Sequence, residues 1–514
     1  MKASGGISPV IAVDRRSRKP LHSQIYDAYR ASILSGKLTL GQQVPSTRAL
    51  STELGISRIP VLEAYSQLLA EGYLETRPGA GTFISCSLPD EILCQFGDSR
   101  PVEAGSRTLS RRAASAVWRA RGPWVTNSGP FSVGQLAFDH FPFQVWSTLV
   151  KRHARKVSSN SMNYSDTLGH QEFRAAIAHY LGTARGVQCD SQQIMIVSGS
   201  QQALDICAHV LTDPGDSVWI EEPGYEPLRR ILAMADCRLV PVRVDEEGLD
   251  VAAGVKRSPG ARAVYVTPSH QFPLGAVMTA SRRLQLLDWA HKANAWIVED
   301  DYDSEYRYES MPIPSLQGLD RGSRVIYIGT FSKTLFPSLR LGYMVIPPDL
   351  VDRFTALRRA RDICAPHFFQ VVLTDFIEQG HYARHIRKTR LLYKERRSTL
   401  VEALRRTFDS RLQILGASAG MHLVVTLPSG LDDVQISVRA AETKLWLWPL
   451  STTYAGKNVR QGFILGFGST SLTGITKGVS RLRDLLVQGD NGPGEARARS
   501  LFEPEDLKIG EARS

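Results

Sequence analysis

At 514 residues the chain is longer than one ordinary domain, and a hydrophobic fraction of 43% is enough for more than one core. The formal net charge of +11 suits a polyanionic partner, although charge of this size also serves plain solubility. The six cysteines, at 86, 94, 189, 207, 237 and 364, have neither paired CxxC spacing nor a His cluster, so no zinc site, no other metal and no disulfide framework is expected. The opening MKASGGISPV lacks a long apolar core, and no run elsewhere is long enough to cross a bilayer. The expectation is a cytoplasmic protein with no membrane partner.

Residues 1–84 read as a first domain, with a folded unit from Pro20 to Ile84. Leu21, Ile25, Tyr29 and Ile33 recur every four residues, the stripe of an amphipathic helix that Gly36 ends. Ser46 reads as the N-cap of a short helix with Leu50 and Leu54 on one face and Gly55 as its stop. A second helix starts near Ser57 and Arg58 and carries Val61, Ala64 and Leu68 inward. Two short helices joined by a tight glycine-containing turn are the helix-turn-helix pattern, and the strands flanking Arg77-Pro78-Gly79-Ala80-Gly81 add a hairpin wing. PSTRAL, LGISR and LAEGYLETRPGAGTF resemble the GntR winged-helix family. That resemblance implies binding to a double-stranded DNA operator through Ser46, Arg48, Ser57, Arg58, Arg77 and Gly79, with the second helix in the major groove. The chain departs from the pattern at Ile59-Pro60, where relatives carry two polar residues, so the operator read must differ or lean more on phosphates and thymine methyls.

From 85 to 125 the pattern loosens. Between 100 and 121, Arg100, Arg107, Arg111, Arg112, Arg119 and Arg121 meet a single acid, Glu103, and the span reads as a basic flexible linker that either follows DNA or is a solvated tether. Residues 126–488 form the large domain, and 489–514 mix charge, glycine and proline as a disordered tail would.

Inside the large domain, short apolar runs end in polar, ligand-type residues. Ile194–Val197 leads into Ser198-Gly199-Ser200-Gln201-Gln202, Val218–Ile220 into Glu221-Glu222-Pro223-Gly224-Tyr225, and Ala263–Val266 into Thr267-Pro268-Ser269-His270-Gln271. Trp296–Val298 leads into Glu299-Asp300-Asp301-Tyr302, and Val325–Ile328 into Gly329-Thr330 and then Lys333. In open α/β sheets ligands bind beyond the carboxyl ends of the strands, which is where these residues fall. A lysine held among apolar groups loses solvation in its charged form, which frees the neutral amine to form an imine with a carbonyl. Arg340, Thr330 and Ser332 would donate to a phosphate, as would a helix N-terminus.

SKTLFPSLRLGY, EDDYDSEYRY, TPSHQFP, EEPGY and SGSQQAL, in that order from the lysine backwards, resemble the MocR subfamily of GntR-type bacterial regulators. The resemblance covers nearly the whole chain. It implies an α/β architecture: an N-terminal winged helix-turn-helix plus a fold-type I aminotransferase-like domain with a mostly parallel sheet, which dimerises and binds pyridoxal 5'-phosphate. Carried over position by position, Lys333 resembles the lysine that holds the cofactor, Asp300 the partner of its pyridine nitrogen, and Tyr302 the donor to its ring hydroxyl. Tyr225 resembles the residue stacked on the ring, Ser200 and Gln201 the phosphate loop, Arg340 the phosphate arginine, and Gln271 an amide near the ring hydroxyl. Tyr164 resembles the tyrosine that reaches the phosphate of a neighbouring subunit. The implied function is a regulator that senses a small amine or amino acid; the alternative is a working aminotransferase with an accessory DNA-binding domain. Enzymes of this fold place an arginine before the last core strand where this chain has Gly462, leaving Arg460, two residues earlier on the same face of an extended segment, as the candidate substrate anchor. Whether full transamination occurs stays open on these residues.

Overall fold

The computed structural model describes residues 11, 13–86, 110, 122–308, 314–456 and 459–487. It divides into two compact units, Met1–Leu109 and Ser110–Ser514. The division falls inside the span read as a linker. Most of that span, and the tail expected from 489, lie outside the described residues.

In the smaller unit α1 (Leu21–Leu34) buries Ile25, Tyr29 and Ile33, the stripe expected of it. α2 (Thr47–Glu53) starts at Ser46, whose hydroxyl accepts from the Ala49 N–H at 3.2 Å and satisfies one of the orphan donors of the first turn. α3 (Arg58–Ala70) turns Val61, Ala64, Tyr65 and Leu68 inward. Pro60 sits in its first turn, where its missing N–H costs nothing. Behind these helices the hydroxyls of Tyr29 and Tyr65 meet at 2.9 Å, and Tyr65 also donates to Pro45 O at 2.9 Å. β1 (Leu74–Arg77) and β2 (Gly81–Ile84) pair antiparallel as the wing.

The larger unit includes a helical turn, Pro123–Thr126, packed against the helix Asp433–Glu442. Its main sheet contains β3 (Ile194–Val197), β4 (Ser217–Glu222), β5 (Arg238–Asp245), β6 (Gly248–Leu249), β7 (Ala263–Val266), β8 (Trp296–Asp301), β9 (Val325–Thr330) and β10 (Gly342–Val345). They lie in the order β3-β10-β9-β8-β7-β4-β5-β6. β4, β5, β7, β8 and β9 are parallel, and β10 runs antiparallel between β3 and β9, so β3 points the same way as β9. The five strands expected from sequence are all present. β4, β8 and β9 run further than their apolar stretches because Glu221, Glu299, Asp300, Asp301 and Thr330 are buried within or at the end of the ladder. β3, β7, β9 and β10 are buried on both faces, the continuous apolar reading of a covered parallel sheet.

A second sheet, β11 (Gln413–Leu415), β12 (His422–Thr426), β13 (Trp448–Pro449) and β14 (Gly462–Gly466), is antiparallel in the order β11-β12-β14-β13. One core joins it to the helices His381–Phe408, Asp433–Glu442 and Leu472–Val487 through Leu404, Leu423, Phe463, Ile475 and Leu482. Among the described residues no helix is long and apolar enough to cross a membrane, and Cys86, Cys189, Cys207, Cys237 and Cys364 are unpaired.

Candidate functional site

β9 ends at Thr330, whose hydroxyl accepts from the Ser332 N–H at 3.2 Å and folds the chain over. The turn is pinned from the helix His381–Phe408: Tyr382 donates to the Thr334 hydroxyl at 3.2 Å, and His385 Nε2 lies 3.0 Å from Thr334 O. Lys333, held between these anchors, is half-buried. Its amine lies against Gly134, where φ is +76° and a β-carbon would come within 2.5 Å of Nζ, so only glycine leaves the amine room. Burial lowers the Lys333 pKa, while Asp303 and Asp300 pull it back up.

Asp300 and Asp301 are neighbours on β8 with opposite fates. Burial acts to raise Asp301, but the Arg185 guanidinium (Nε to Oδ2, 2.8 Å) and hydroxyls from Tyr327 and Ser304 hold it below its ordinary value. Asp300 has no such partner. Its Oδ1 is buried with no hydrogen-bond partner among the described residues, and its pKa is pushed up to about 7 by burial first, then by Asp301, Glu221 and Asp303. A buried carboxylate oxygen without a donor costs free energy unless a ligand completes it. Tyr225 and Asp300 border the same small cavity, together with Glu221 and Thr267. Glu221 accepts from Thr267 Oγ1 at 2.6 Å, yet burial still pushes it up to about 7.

The helix Ser200–Leu211 starts at the end of β3 and packs on β8, β9 and β10. Gly199, at φ +105°, brings its backbone to the Arg340 guanidinium: a β-carbon there would lie 3.4 Å from Nη1. Arg340 is exposed and left-handed at φ 50°. The structure thus puts an arginine fork at the N-terminus of a twelve-residue helix, the combination that suits a phosphate. Gln201 Nε2 donates to the Tyr225 hydroxyl at 3.2 Å, linking this loop to the expected stacking residue, whose ring meets Phe272 edge-on at 5.9 Å.

Three sequence expectations turn out differently or stand apart. Gln271 is not offered to the cleft. Its amide nitrogen faces Pro223 O at 2.9 Å, Phe272 O at 2.6 Å and Glu221 at 3.2 Å, and its oxygen accepts from the Leu274 N–H at 3.0 Å, so the loop consumes both ends. Arg460 is exposed and lines a wide groove with Glu222, Arg243, Leu274 and Tyr454; Lys333 is not among the lining residues. Gly462 begins β14, and a β-carbon there would sit 2.3 Å from Val425 O, so the ladder has no room for a side chain. Tyr164 is 77% exposed and so outside the cleft of its own chain.

The fold also gathers residues that sequence spacing did not reveal. His270, Asp303 and His422 are buried, with ligand-type atoms within 4.8 Å of one another, although no His cluster is visible along the chain. Tyr302 joins them, its hydroxyl 3.1 Å from His270 Nδ1.

In the smaller unit Arg48, Ser57, Arg58, Arg77 and Gly79 are all exposed, as is Ser46. Arg58 Nε donates to Thr47 Oγ1 at 3.1 Å, tying the start of α3 to α2. Arg77 is paired with Glu75 at 2.6 Å and stacks over Phe83 at 4.4 Å, and Gly79 forms the open wing tip at φ +72°. Ile59, at 65% exposure, puts an apolar side chain at the start of α3 where a polar one was expected.

The chain matches two families: bacterial regulatory proteins of the gntR family over residues 21–84, and aminotransferase class I and II over residues 129–464. It is 40% identical to the probable rhizopine catabolism regulatory protein MocR of Rhizobium meliloti, across 93% of this chain and 96% of that one. It is 32% identical to the transcriptional regulator TauR of Rhodobacter capsulatus, across 88% and 94%. Among solved structures, the kynurenine aminotransferase of Pyrococcus horikoshii, in complex with PMP, is 30% identical with a TM-score of 0.68, across 73% of this chain and 96% of that one. A DNA-binding winged helix joined to a site with aminotransferase geometry, over nearly the full length of such relatives, makes the chain a member of the MocR subfamily of GntR-type bacterial transcription regulators.

Proposed function

We propose that this transcription regulator binds pyridoxal 5'-phosphate in its larger unit and uses it to sense a small amine or amino acid. The observation that carries the reading is the unpartnered buried Oδ1 of Asp300 close enough to a desolvated lysine, Lys333, for each to feel the other's charge. When bound, the cofactor supplies a carbonyl carbon open to amines and a ring nitrogen able to carry a proton. Asp300 would hold that protonated nitrogen, Tyr225 would cover the ring, and Tyr302 would donate to its oxygen. Ser200, Gln201, Thr330, Ser332 and Arg340 would hold the phosphate. Lys333 would hold the cofactor's carbonyl carbon. A ligand amine that took its place would release the Lys333 amine beside Asp303 and Asp300 and change the charge pattern they feel. That difference between liganded and unliganded states is the free energy available to shift how the DNA-binding units are held.

The chain would act as a cytoplasmic homodimer, the partner copy covering the exposed Met162 and Tyr164 and receiving Tyr164 at its phosphate. The test is to load the purified protein with pyridoxal phosphate, trap it with borohydride, and screen amines for changes in both the visible band and operator affinity. A protein that takes up the cofactor but whose DNA binding ignores every amine would defeat the sensing role.

A further inference from the structure

His270 Nδ1 lies 3.0 Å from Asp303 Oδ2 and 3.1 Å from the Tyr302 hydroxyl, His270 and Asp303 being buried and Tyr302 half-buried. An imidazole nitrogen offers in its plane either one hydrogen or one lone pair, and a carboxylate is an acceptor only. Asp303 therefore requires the hydrogen on Nδ1. That same hydrogen lies between Asp303 and Tyr302, so the Tyr302 oxygen accepts from His270 and its own hydrogen must turn elsewhere. The ring cannot shift to evade this. A β-carbon on Gly420 would come within 2.0 Å of its Cε1 and one on Gly275 within 3.0 Å of its Nε2, so backbone closes on both sides. His270 Nε2 and Asp303 Oδ1 have no hydrogen-bond partner among the described residues, which leaves the Nδ1 contacts to set the ring's orientation. Charged and titratable groups around the pair include Asp300, Lys333, Arg307, Tyr302 and Tyr308, with the His422 ring 4.7 Å from that of His270.

We propose that His270, oriented by Asp303, is a positioning residue that makes Tyr302 a one-way hydrogen-bond donor into the cleft beside Lys333, towards an oxyanion on the ring of the bound ligand. The identity of that acceptor rests on the pyridoxal phosphate reading; the tautomer does not. The cluster also has the composition of a divalent-metal site, but His422 Nε2 is engaged with Pro273 O at 3.0 Å, and hydrogen on Nδ1 leaves His270 only Nε2 to offer.

Two measurements on the full-length protein separate these claims. Nitrogen NMR of cofactor-free, histidine-labelled protein, with His270 assigned from its loss in His270→Asn, is expected to find hydrogen on Nδ1 in the wild type. Asp303→Ala, by removing the acceptor, should let Tyr302 donate back and move hydrogen to Nε2. An unprotonated Nδ1 in the wild type overturns the tautomer.

In the pyridoxal-phosphate-loaded protein the pH midpoint of the visible band reports the donor, because an oxyanion that loses it holds a nearby proton more tightly. Tyr302→Phe and His270→Leu should each raise the midpoint by about one pH unit, a tenfold change in proton affinity. The double variant should go no further than Tyr302→Phe. His270→Asn, whose amide N–H takes the place of Nδ1–H, should return close to wild type, which a merely structural role would not produce. A midpoint moved by Tyr302→Phe but not by folded His270→Leu overturns the proposal. A wild type that takes up no cofactor refutes the proposed function and with it the acceptor, while the nitrogen signals still decide the tautomer.

Discussion

Asp300→Asn should move two observables in opposite directions. In the ligand-free cleft the Asp300 pKa stands at about 7 against an ordinary 3.8. The difference, 7 − 3.8, is roughly three pH units, and at about 1.4 kcal/mol each the ionised carboxylate costs about 4 kcal/mol above pH 8. A protonated ring nitrogen supplies the missing donor and counter-charge, so up to about that amount returns on binding. Removing the charge should weaken pyridoxal phosphate binding by at least tenfold and at most about a thousandfold, measured by equilibrium dialysis at pH 8. The effect on the ligand-free fold has the other sign. Between pH 3.8 and about 7 the native state keeps a proton that the unfolded chain has lost, so Asp300 contributes stability present at low pH and lost as pH rises through 7. Asn has nothing to lose, so the variant should melt no lower than wild type at pH 8 and its stability should fall less between pH 6 and 8. An affinity within about threefold of wild type, or a variant clearly less stable at pH 8, would refute the counter-charge argument.

Lys333→Ala should keep the fold, since the amine makes no hydrogen bond that holds the turn, and should lose the borohydride-reducible visible band; a reducible band in that variant would mean another lysine takes the carbonyl. DNA binding should weaken steeply with salt, and Arg58→Ala should cost about 1–3 kcal/mol if the side chain leaves Thr47 to read a base, or less if it touches phosphate alone. Gel-shift titrations at several salt concentrations check this, and insensitivity to both perturbations would contradict the DNA contact. Arg460→Ala should weaken only effectors that carry a carboxylate, because Arg460 lines a groove to which Lys333 does not contribute. For the same reason transamination with common keto acids should be slow, since misplaced anchors cost on the order of a hundredfold. Steady turnover at roughly 1 per second or faster would favour the aminotransferase reading.

The winged helix was legible because its determinants are local. Ile25, Tyr29 and Ile33 repeat at helical spacing, and Ser46 caps the helix that begins beside it. The five strand ends were legible for a similar reason, as apolar runs that stop at polar clusters. Sheet order was not: nothing near Gly342–Val345 says that β10 slips antiparallel between β3 and β9, because that is decided by partners remote in sequence. His422 on β12 escaped notice because it meets His270 only after the second sheet has closed on the first loop. Gln271 misled in a different way. An amide stands where a ligand amide would be expected, but the carbonyls of Pro223 and Phe272 reach it first.

The adjacent acids on β8 are the sharpest case of what sequence conceals. Asp300 and Asp301 have the same chemistry and nearly the same neighbours along the chain, and successive residues of a strand simply face opposite sides of the sheet. On one side Arg185, from the end of a helix far upstream, together with Tyr327 and Ser304, gives Asp301 Oδ2 three donors, although its Oδ1 has none among the described residues. On the other, Asp300 meets Cys207, Glu221 and the cleft, and receives none. Moving Arg185 to the other face would exchange the roles of the two acids without altering a letter of the EDDYDSEYRY stretch. The residue that separates the two acids is therefore Arg185, which holds Asp301 and leaves Asp300 without a donor among the described residues.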